Sequence, residues 1–386
     1  MQFNPLTKEA NPIIWTLYQC HDPSATLASW NVRVQSNKRA KIAEAIRLLD
    51  DGYDPNEKLD DDTAIGIAMW MGLHEVVDRL LTAGADVTHP VGFKNSVIYK
   101  WIALSKANDD TAPEKGVVLQ KLLRAGADLY MRDENGDSFL HAAEKHVNPY
   151  AITALVAAGL DINTTNNDGR TVLHHSIHNW RMEALNAVLA ASPDVNARDH
   201  ANYTALSYAI KGLKFMLGDT TDAQATLDVI RRLIEENAAT DFIDSEGNSL
   251  LHLAMNWGYN KMPYMSFHQT LAIRHELVAL LIERGLDVNA RNHLGQTPLM
   301  LAISACDVDS VRHLCAIPGI DRSARDLMGN TAMKRAILAK TSAEKYETRP
   351  VELVPIMPLL SRSSHSDSIP FIPTTDHYNT IIELLS

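Results

Sequence analysis

Apolar residues along this chain recur in short paired runs, each introduced by a polar turn. In DENGDSFLHAAE (133–144), NNDGRTVLHHSI (166–177), DSEGNSLLHLAM (244–255) and NHLGQTPLMLAI (292–303), a turn leads to a hydroxyl residue, an apolar pair and a helical pattern. Downstream, a second apolar stretch ends in a phrase such as RAGADLYMRD (124–133), AAGLDINTTN (157–166) or ERGLDVNARN (283–292). The hydroxyl position returns at Thr63, Ser96, Ser138, Thr171, Thr204, Ser249, Thr297 and Thr331, in steps of 33, 42, 33, 33, 45, 48 and 34. The longer steps read as a 33-residue unit carrying an insertion. Such a period predicts stacked helical units, none of which buries its apolar face alone.

Local chemistry agrees with that division. A Ser or Thr opens every unit and offers an oxygen to the free N–H groups of the first helical turn. Pro298 falls in the first turn, where a helix tolerates proline best. Gly84, Gly126, Gly159 and Gly285 follow the second helices, where a left-handed residue ends a helix at low cost. Asp133–Gly136, Asp244–Gly247 and Asp326–Gly329 place Asp first and Gly fourth, a type I turn preference that Asn166–Gly169 and Asn292–Gly295 repeat with Asn.

These features together resemble the ankyrin repeat, most closely at Gln296-Thr297-Pro298-Leu299 and Gly285-Leu286-Asp287-Val288-Asn289. The resemblance implies an all-α ankyrin-repeat solenoid of about nine helix pairs, joined by β-hairpin-like turns and carrying inserted helix–helix loops. Residues 1–386 are expected to form a single domain. Within it, 10–59 is an N-terminal capping repeat, 60–339 the repeats, 340–378 an insertion and 379–386 a C-terminal capping helix. Asn11-Pro12-Ile13-Ile14 opens the first unit, whose outer helix is placed at Ile42–Leu49. The extra length falls between inner and outer helices, at His21–Asn37, Ser105–Lys115, Gly212–Ala223, Gly258–Leu271 and Lys340–His377. Lengthening a surface loop costs only about 0.6 kcal/mol per doubling, so these segments are either tolerated loops or a wall beside the groove.

Composition narrows the function. Lys and Arg total 36 against 47 Asp and Glu, a net charge of −11, which disfavours a nucleic-acid binder. No run approaches the roughly 20 apolar residues of a membrane span, so no membrane insertion is expected. Neither a signal peptide nor a disulfide framework is visible, since only Cys20, Cys306 and Cys315 are present. These features suit a cytoplasmic protein, or the host cytoplasm for a secreted effector.

Chemistry-bearing motifs are few. His174, His175 and His178 share a helix, but His174, like His141 and His252, sits where the resemblance implies a structural hydrogen bond between repeats. That leaves no third ligand, and neither a metal nor another cofactor is expected. Cys306 and Cys315 lack a nucleophile's partners, and no phosphate loop or hydrolase motif occurs, so the chain reads as a non-enzyme. Recognition is the stronger reading. The resemblance implies that the groove is lined by Trp70, Met71, Lys145, His146, His178, Asn179, Lys211, Asn256 and Trp257, with Trp180 beside them where the family prefers Gly. Aromatic groups of this kind dominate binding hot spots, although internal packing explains tryptophans equally well. Trp101 falls at a core position. Hairpin tips add Glu134, Asp137, Asp168, Arg170, His200, Tyr203, Glu246, His293 and Gln296.

The expected function is a protein-binding module, in monomeric form, whose partner is another protein. A host- or competitor-directed effector is the finer version. Two alternatives stand beside it: an enzyme or enzyme regulator completed by the 340–378 insertion with His365, Asp367 and His377, and a structural scaffold or immunity-type inhibitor.

Overall fold

Inner helices of six to eight residues open most repeats. Isolated helices of that length do not persist in water, so each must be held by its neighbours. The computed structural model describes residues 12–18, 32–56, 58–59, 62–70, 73–88, 93–104, 112–216, 220–255, 267–347 and 374–386. Their helices form nine consecutive pairs in two compact units, Met1–Asp194 and Val195–Ser386.

The first unit holds α1 (Pro12–Tyr18) and α2 (Val32–Asp50), α3 (Ala64–Trp70) and α4 (His74–Thr82), and α5 (Val97–Leu104) and α6 (Ala112–Arg124). Its last pairs are α7 (Phe139–Lys145) with α8 (Pro149–Ala157) and α9 (Val172–His178) with α10 (Met182–Ala190). The second unit holds α11 (Ala205–Met216) and α12 (Thr220–Glu235), α13 (Leu250–Met255) and α14 (Phe267–Glu283), α15 (Pro298–Ser304) and α16 (Val308–Ala316), and α17 (Ala332–Glu347) and α18 (Thr375–Leu385). Sheet structure among the described residues is confined to a ribbon of β1 (Lys58–Leu59) and β2 (Asp62–Thr63) and two isolated bridges. Among the described residues no helix is long and apolar enough to cross a membrane.

Within each unit, inner helices stack on inner and outer on outer: α3–α5–α7–α9 and α8–α10 in the first, α11–α13–α15–α17 and α12–α14–α16–α18 in the second. The small pair Ala142–Ala143 lets neighbouring inner helices approach, and Phe139, Leu140, Ile152 and Leu155 are fully buried around it. Trp101 is buried at 1% exposure, as its core position implies.

Polar side chains tie one repeat to the next. Ser138 N–H donates to His141 Nδ1 (3.2 Å), which leaves Nε2–H to donate to the Arg170 carbonyl of the following repeat (3.1 Å). His252 repeats the arrangement from Ser249 to the Gln296 carbonyl (2.9 Å). In the exit phrases, Asn163 Oδ1 accepts from Asp194 N–H (2.7 Å) and Asn289 Oδ1 from Asp321 N–H (2.8 Å). Gly159 and Gly285 hold φ of +106° and +84° at the ends of α8 and α14, the left-handed stops that the sequence places there.

The insertions differ from their expected form. One of them mostly lengthens the flanking helices, α11 running to Met216 and α12 starting at Thr220, and the last one adds to helices at its two ends, α17 running to Glu347 and α18 starting at Thr375. The first outer helix likewise starts at Val32, well before Ile42. The α17 stretch, AMKRAILAKTSAEKYE, is rich in helix formers and free of Gly and Pro, so nothing stops propagation, and α11 continues through its single Gly212. The remaining parts of the insertions (21–31, 105–111, 217–219, 258–266 and 348–373), with His365 and Asp367, lie outside the described residues.

One buried ion pair crosses the second unit. Arg274 on α14 meets Asp307, which caps α16 by accepting Ser310 N–H (3.0 Å), and both side chains are almost fully buried. Removing one partner strands the other charge. Arg274→Met is therefore expected to cost about 3–5 kcal/mol in denaturant unfolding, and adding Asp307→Asn, which can still cap, should recover most of it.

Candidate functional site

The ends of the inner helices carry most of the candidate row. Phe139–Glu144 of α7 are buried on every face, and the next two residues, Lys145 and His146, emerge into solvent. In the following repeat Val172–His174 are buried and His178 and Asn179 are exposed, and Lys211 on α11 is exposed behind a buried Leu206–Ile210. His146 meets the Tyr99 hydroxyl at 3.1 Å, and Lys211 Nζ lies 4.5 Å from the Tyr203 ring centroid. Trp70 ends α3, while Met71, Asn256 and Trp257 lie outside the described residues.

Trp180 is half-buried and holds a φ of +53°, in the turn between α9 and α10. Val147 and Cys306 hold the same left-handed backbone (φ +51° and +56°) in the equivalent turns. Outside glycine that conformation costs about 1–2 kcal/mol, which explains the preference for Gly at this turn in similar repeats.

Beneath Lys145 and Asn179 lies a buried polar cluster of the first unit. Asp137, expected at an open hairpin tip, is instead 2% exposed. It faces inward because it pairs with Lys145 and accepts from Asn166 Nδ2 (2.9 Å). Burial raises its carboxyl, but the bonds from Lys145 and Asn166 outweigh this and hold it below the usual value. Asn166 Nδ2 also donates to His175 Nε2 (3.2 Å), whose ring sits edge-on to His141 at 5.0 Å. Glu144 is fully buried: Arg181 Nη1 stands 3.5 Å from Oε1 and donates to the Glu144 carbonyl (2.9 Å), while Oε2 has no hydrogen-bond partner. Burial pushes the Glu144 carboxyl up, opposed chiefly by Arg181, and pulls the His175 imidazole down to about 4. At neutral pH His175 is uncharged, so Arg181, not His175 at 4.0 Å, is the counter-ion of Glu144.

Asp137, His141 and His175 bring ligand atoms within 4.8 Å of one another. They do not fit a metal as arranged: Asp137 is held by Lys145 and Asn166, His141 spends one nitrogen on Ser138 and the other on Arg170, and His175 Nε2 accepts from Asn166. His178, considered with His175 on sequence grounds, is not in the group. His377 caps the outer helix α18, its Nδ1 accepting Thr374 N–H (3.3 Å), as the repeat-opening histidines do on inner helices.

Around this cluster opens a pocket of about 410 Å³ lined by Lys145, Arg170, His175, His178, Asn179 and Arg181. Three of these are candidate row residues and Arg170 is a hairpin-tip candidate. Arg181 was not singled out by sequence, and its position just after the Asn179–Trp180 turn is the signal that marks it. In the second unit, the hairpin-tip residues Glu246, His293 and Gln296 line a pocket of about 430 Å³ with Leu294 and Asn248.

Residues 111–199 and 269–345 match the family model "Ankyrin repeats (3 copies)". The chain is 27% identical over 173 residues to the intracellular phospholipase A2 of Caenorhabditis elegans; the match covers 41% of this chain and only 14% of that protein. Among solved structures, it is similar to the ankyrin repeat domain of Bcl-3, a member of the IkappaB family (23% identity, 62% of this chain, 92% of that one, TM-score 0.47). It is also similar to the human ASB11 ankyrin repeat domain (18% identity, 58% and 88%, TM-score 0.42).

The buried histidine makes stability depend on pH. An imidazole whose value drops on folding contributes stability above its unfolded value of about 6.5, lost as pH falls toward its folded value. His141, His252, His275 and His313 shift the same way through burial, while the raised Glu144 works in the opposite sense, its contribution falling as pH rises. Hydrogen exchange of α7 and α9 amides should show weaker protection at pH 5 than at pH 7.5. His175→Gln should remove about 2 kcal/mol of that difference; an unchanged difference would count against the buried neutral imidazole.

Proposed function

The chain carries ankyrin repeats, and from that premise we propose that it acts by binding another protein through the groove-facing ends of its inner helices and the adjoining hairpin tips, with no covalent step. Ankyrin repeats are generally protein–protein interaction modules, and their fold is typically non-enzymatic. The proposed contact row is Trp70, Met71, Lys145, His146, His178, Asn179, Trp180, Lys211, Asn256 and Trp257, within a single repeat domain spanning 1–386.

The observation that carries this reading is Trp180. A glycine there would relieve the left-handed backbone, yet the chain keeps its largest side chain, half-exposed and flanked by the exposed Asn179. Large aromatic groups contribute most to binding for the rotors they immobilise. The net charge of −11 supports a protein partner over a phosphate backbone. An effector directed at a host or competitor protein is the finer form of the proposal, supported by the irregular, insertion-bearing repeats. A reducing cytoplasmic setting and a monomeric state belong to the same proposal, the former supported by the free thiols of Cys306 and Cys315.

Trp180→Gly tests it directly. The substitution deletes the aromatic contact and relieves the turn, so the melting temperature should hold or rise. Binding of the partner, identified by cross-linking capture and then purified, should weaken by about 10-fold or more. Lys211→Ala supplies a second probe in the other unit. Full binding by both folded variants would remove the groove reading.

A further inference from the structure

The pocket beside Trp180 is lined by nitrogen-bearing side chains in an otherwise acidic chain. Lys145, Arg170, His175, His178, Asn179 and Arg181 line it, and no carboxylate does. The two carboxylates nearest to it, Asp137 and Glu144, stand behind the cations with side chains 3% and 0% exposed. Asp168 pairs with Arg170 at 3.8 Å on the exposed rim, with its own side chain 69% exposed.

The donors are only partly used. Lys145 Nζ bonds one acceptor, Asp137, and has two further N–H groups. Arg181 spends Nη1 on Glu144, and among the described residues Nε and Nη2 have no protein acceptor. Both cations are anchored from behind by a buried carboxylate, so their heads are held in place before any ligand arrives. With Arg170 paired to Asp168 at the rim, the unspent donors are those of Lys145 and Arg181. Their N–H groups can meet the two oxygens of a single carboxylate. A dianionic phosphate would have to draw Lys145 away from a buried Asp137 that has no other cation, at considerable cost.

We propose that this pocket receives an aspartate or glutamate side chain of the bound partner, with Arg181 and Lys145 as its principal hydrogen-bond donors and His178 and Asn179 along its approach. The proposal rests on the groove reading above and gives it a specificity: the partner presents an acidic residue where it crosses the α7 and α9 ends. Arg181 suits the role because its fork can meet both carboxylate oxygens.

The test uses the full chain and three labelled decapeptides of otherwise identical Gly/Ser sequence, bearing glutamate, glutamine or phosphoserine, read by fluorescence anisotropy. The glutamate peptide should bind at least about 10-fold more tightly than the glutamine peptide, and binding should weaken as salt rises. Because Arg181→Gln alone strands Glu144, the variant is Glu144→Gln with Arg181→Gln, and Asp137→Asn with Lys145→Gln is its counterpart; circular dichroism confirms that each is folded. Either should weaken the glutamate peptide by about 10-fold. Equal binding of the glutamine peptide, tighter binding of the phosphoserine peptide, or full binding by both folded double variants overturns the carboxylate pocket. If the glutamate peptide fails to bind while partner binding still responds to Trp180→Gly, this inference falls and the groove reading stands; partner binding that ignores all of these variants removes both.

Discussion

Neighbouring repeats are held in register by bonds from side chains of one to the backbone of the next. An inner helix of six or seven residues has too few internal hydrogen bonds to repay its nucleation. His141 and His252 solve this by accepting the N–H of their own helix cap with one nitrogen and donating to the following repeat with the other. The exit asparagines do the same for the loops: Asn56, Asn163, Asn196 and Asn289 each accept an N–H 30 to 43 residues downstream. Register between neighbours is thus set by polar bonds, and apolar burial fills the space that they define. The exposed row at the helix ends follows from that register.

Where the relay residue changes, the consequence is visible. Ser207 takes the histidine place in the Thr204 repeat, and its hydroxyl accepts Thr204 N–H (2.8 Å) and donates back to the Thr204 carbonyl (2.7 Å). A serine closes the local turn but is too short to reach onward. Tyr208, the residue after it, reaches Asp199 instead (2.6 Å) and braces the hairpin of its own repeat.

Much of this architecture was legible from residues 63 to 331, because a turn, a cap and a left-handed stop are each specified by two or three adjacent residues. Asp133 to Gly136 reads as a turn with no knowledge of the neighbours, and it is one, closed by Gly136 N–H on the Asp133 carbonyl (2.9 Å). The extent of the insertions was not legible, since α17 meets no breaker until Pro350 and α11 runs on through Gly212, where a glycine reads as a stop. The pocket was legible in part. Its lining comes from two helix ends and a hairpin, and its polarity depends on which carboxylates turn inward. Asp137 and Asp168 are both hairpin-tip residues by sequence, yet Asp137, next to the opening Ser138, is buried under Lys145, and Asp168, three residues before Thr171, stays in solvent.

That inward turn carries the electrostatic argument. A buried carboxylate is costly, and breaking even with a partner cation requires good geometry. Glu144 has only partial satisfaction: one oxygen faces Arg181 and Asn179 at 3.5 Å, and the other has no hydrogen-bond partner. An apolar residue at that point of α7 would pack without this cost, as Ile177 does on α9. What Glu144 supplies in exchange is a fixed position for the Arg181 guanidinium, which its carbonyl and carboxylate hold across the boundary between two repeats. The same reasoning applies to Asp137 and Lys145. Two buried carboxylates behind one pocket, of which only Glu144 is left partly unsatisfied, orient two cations toward solvent.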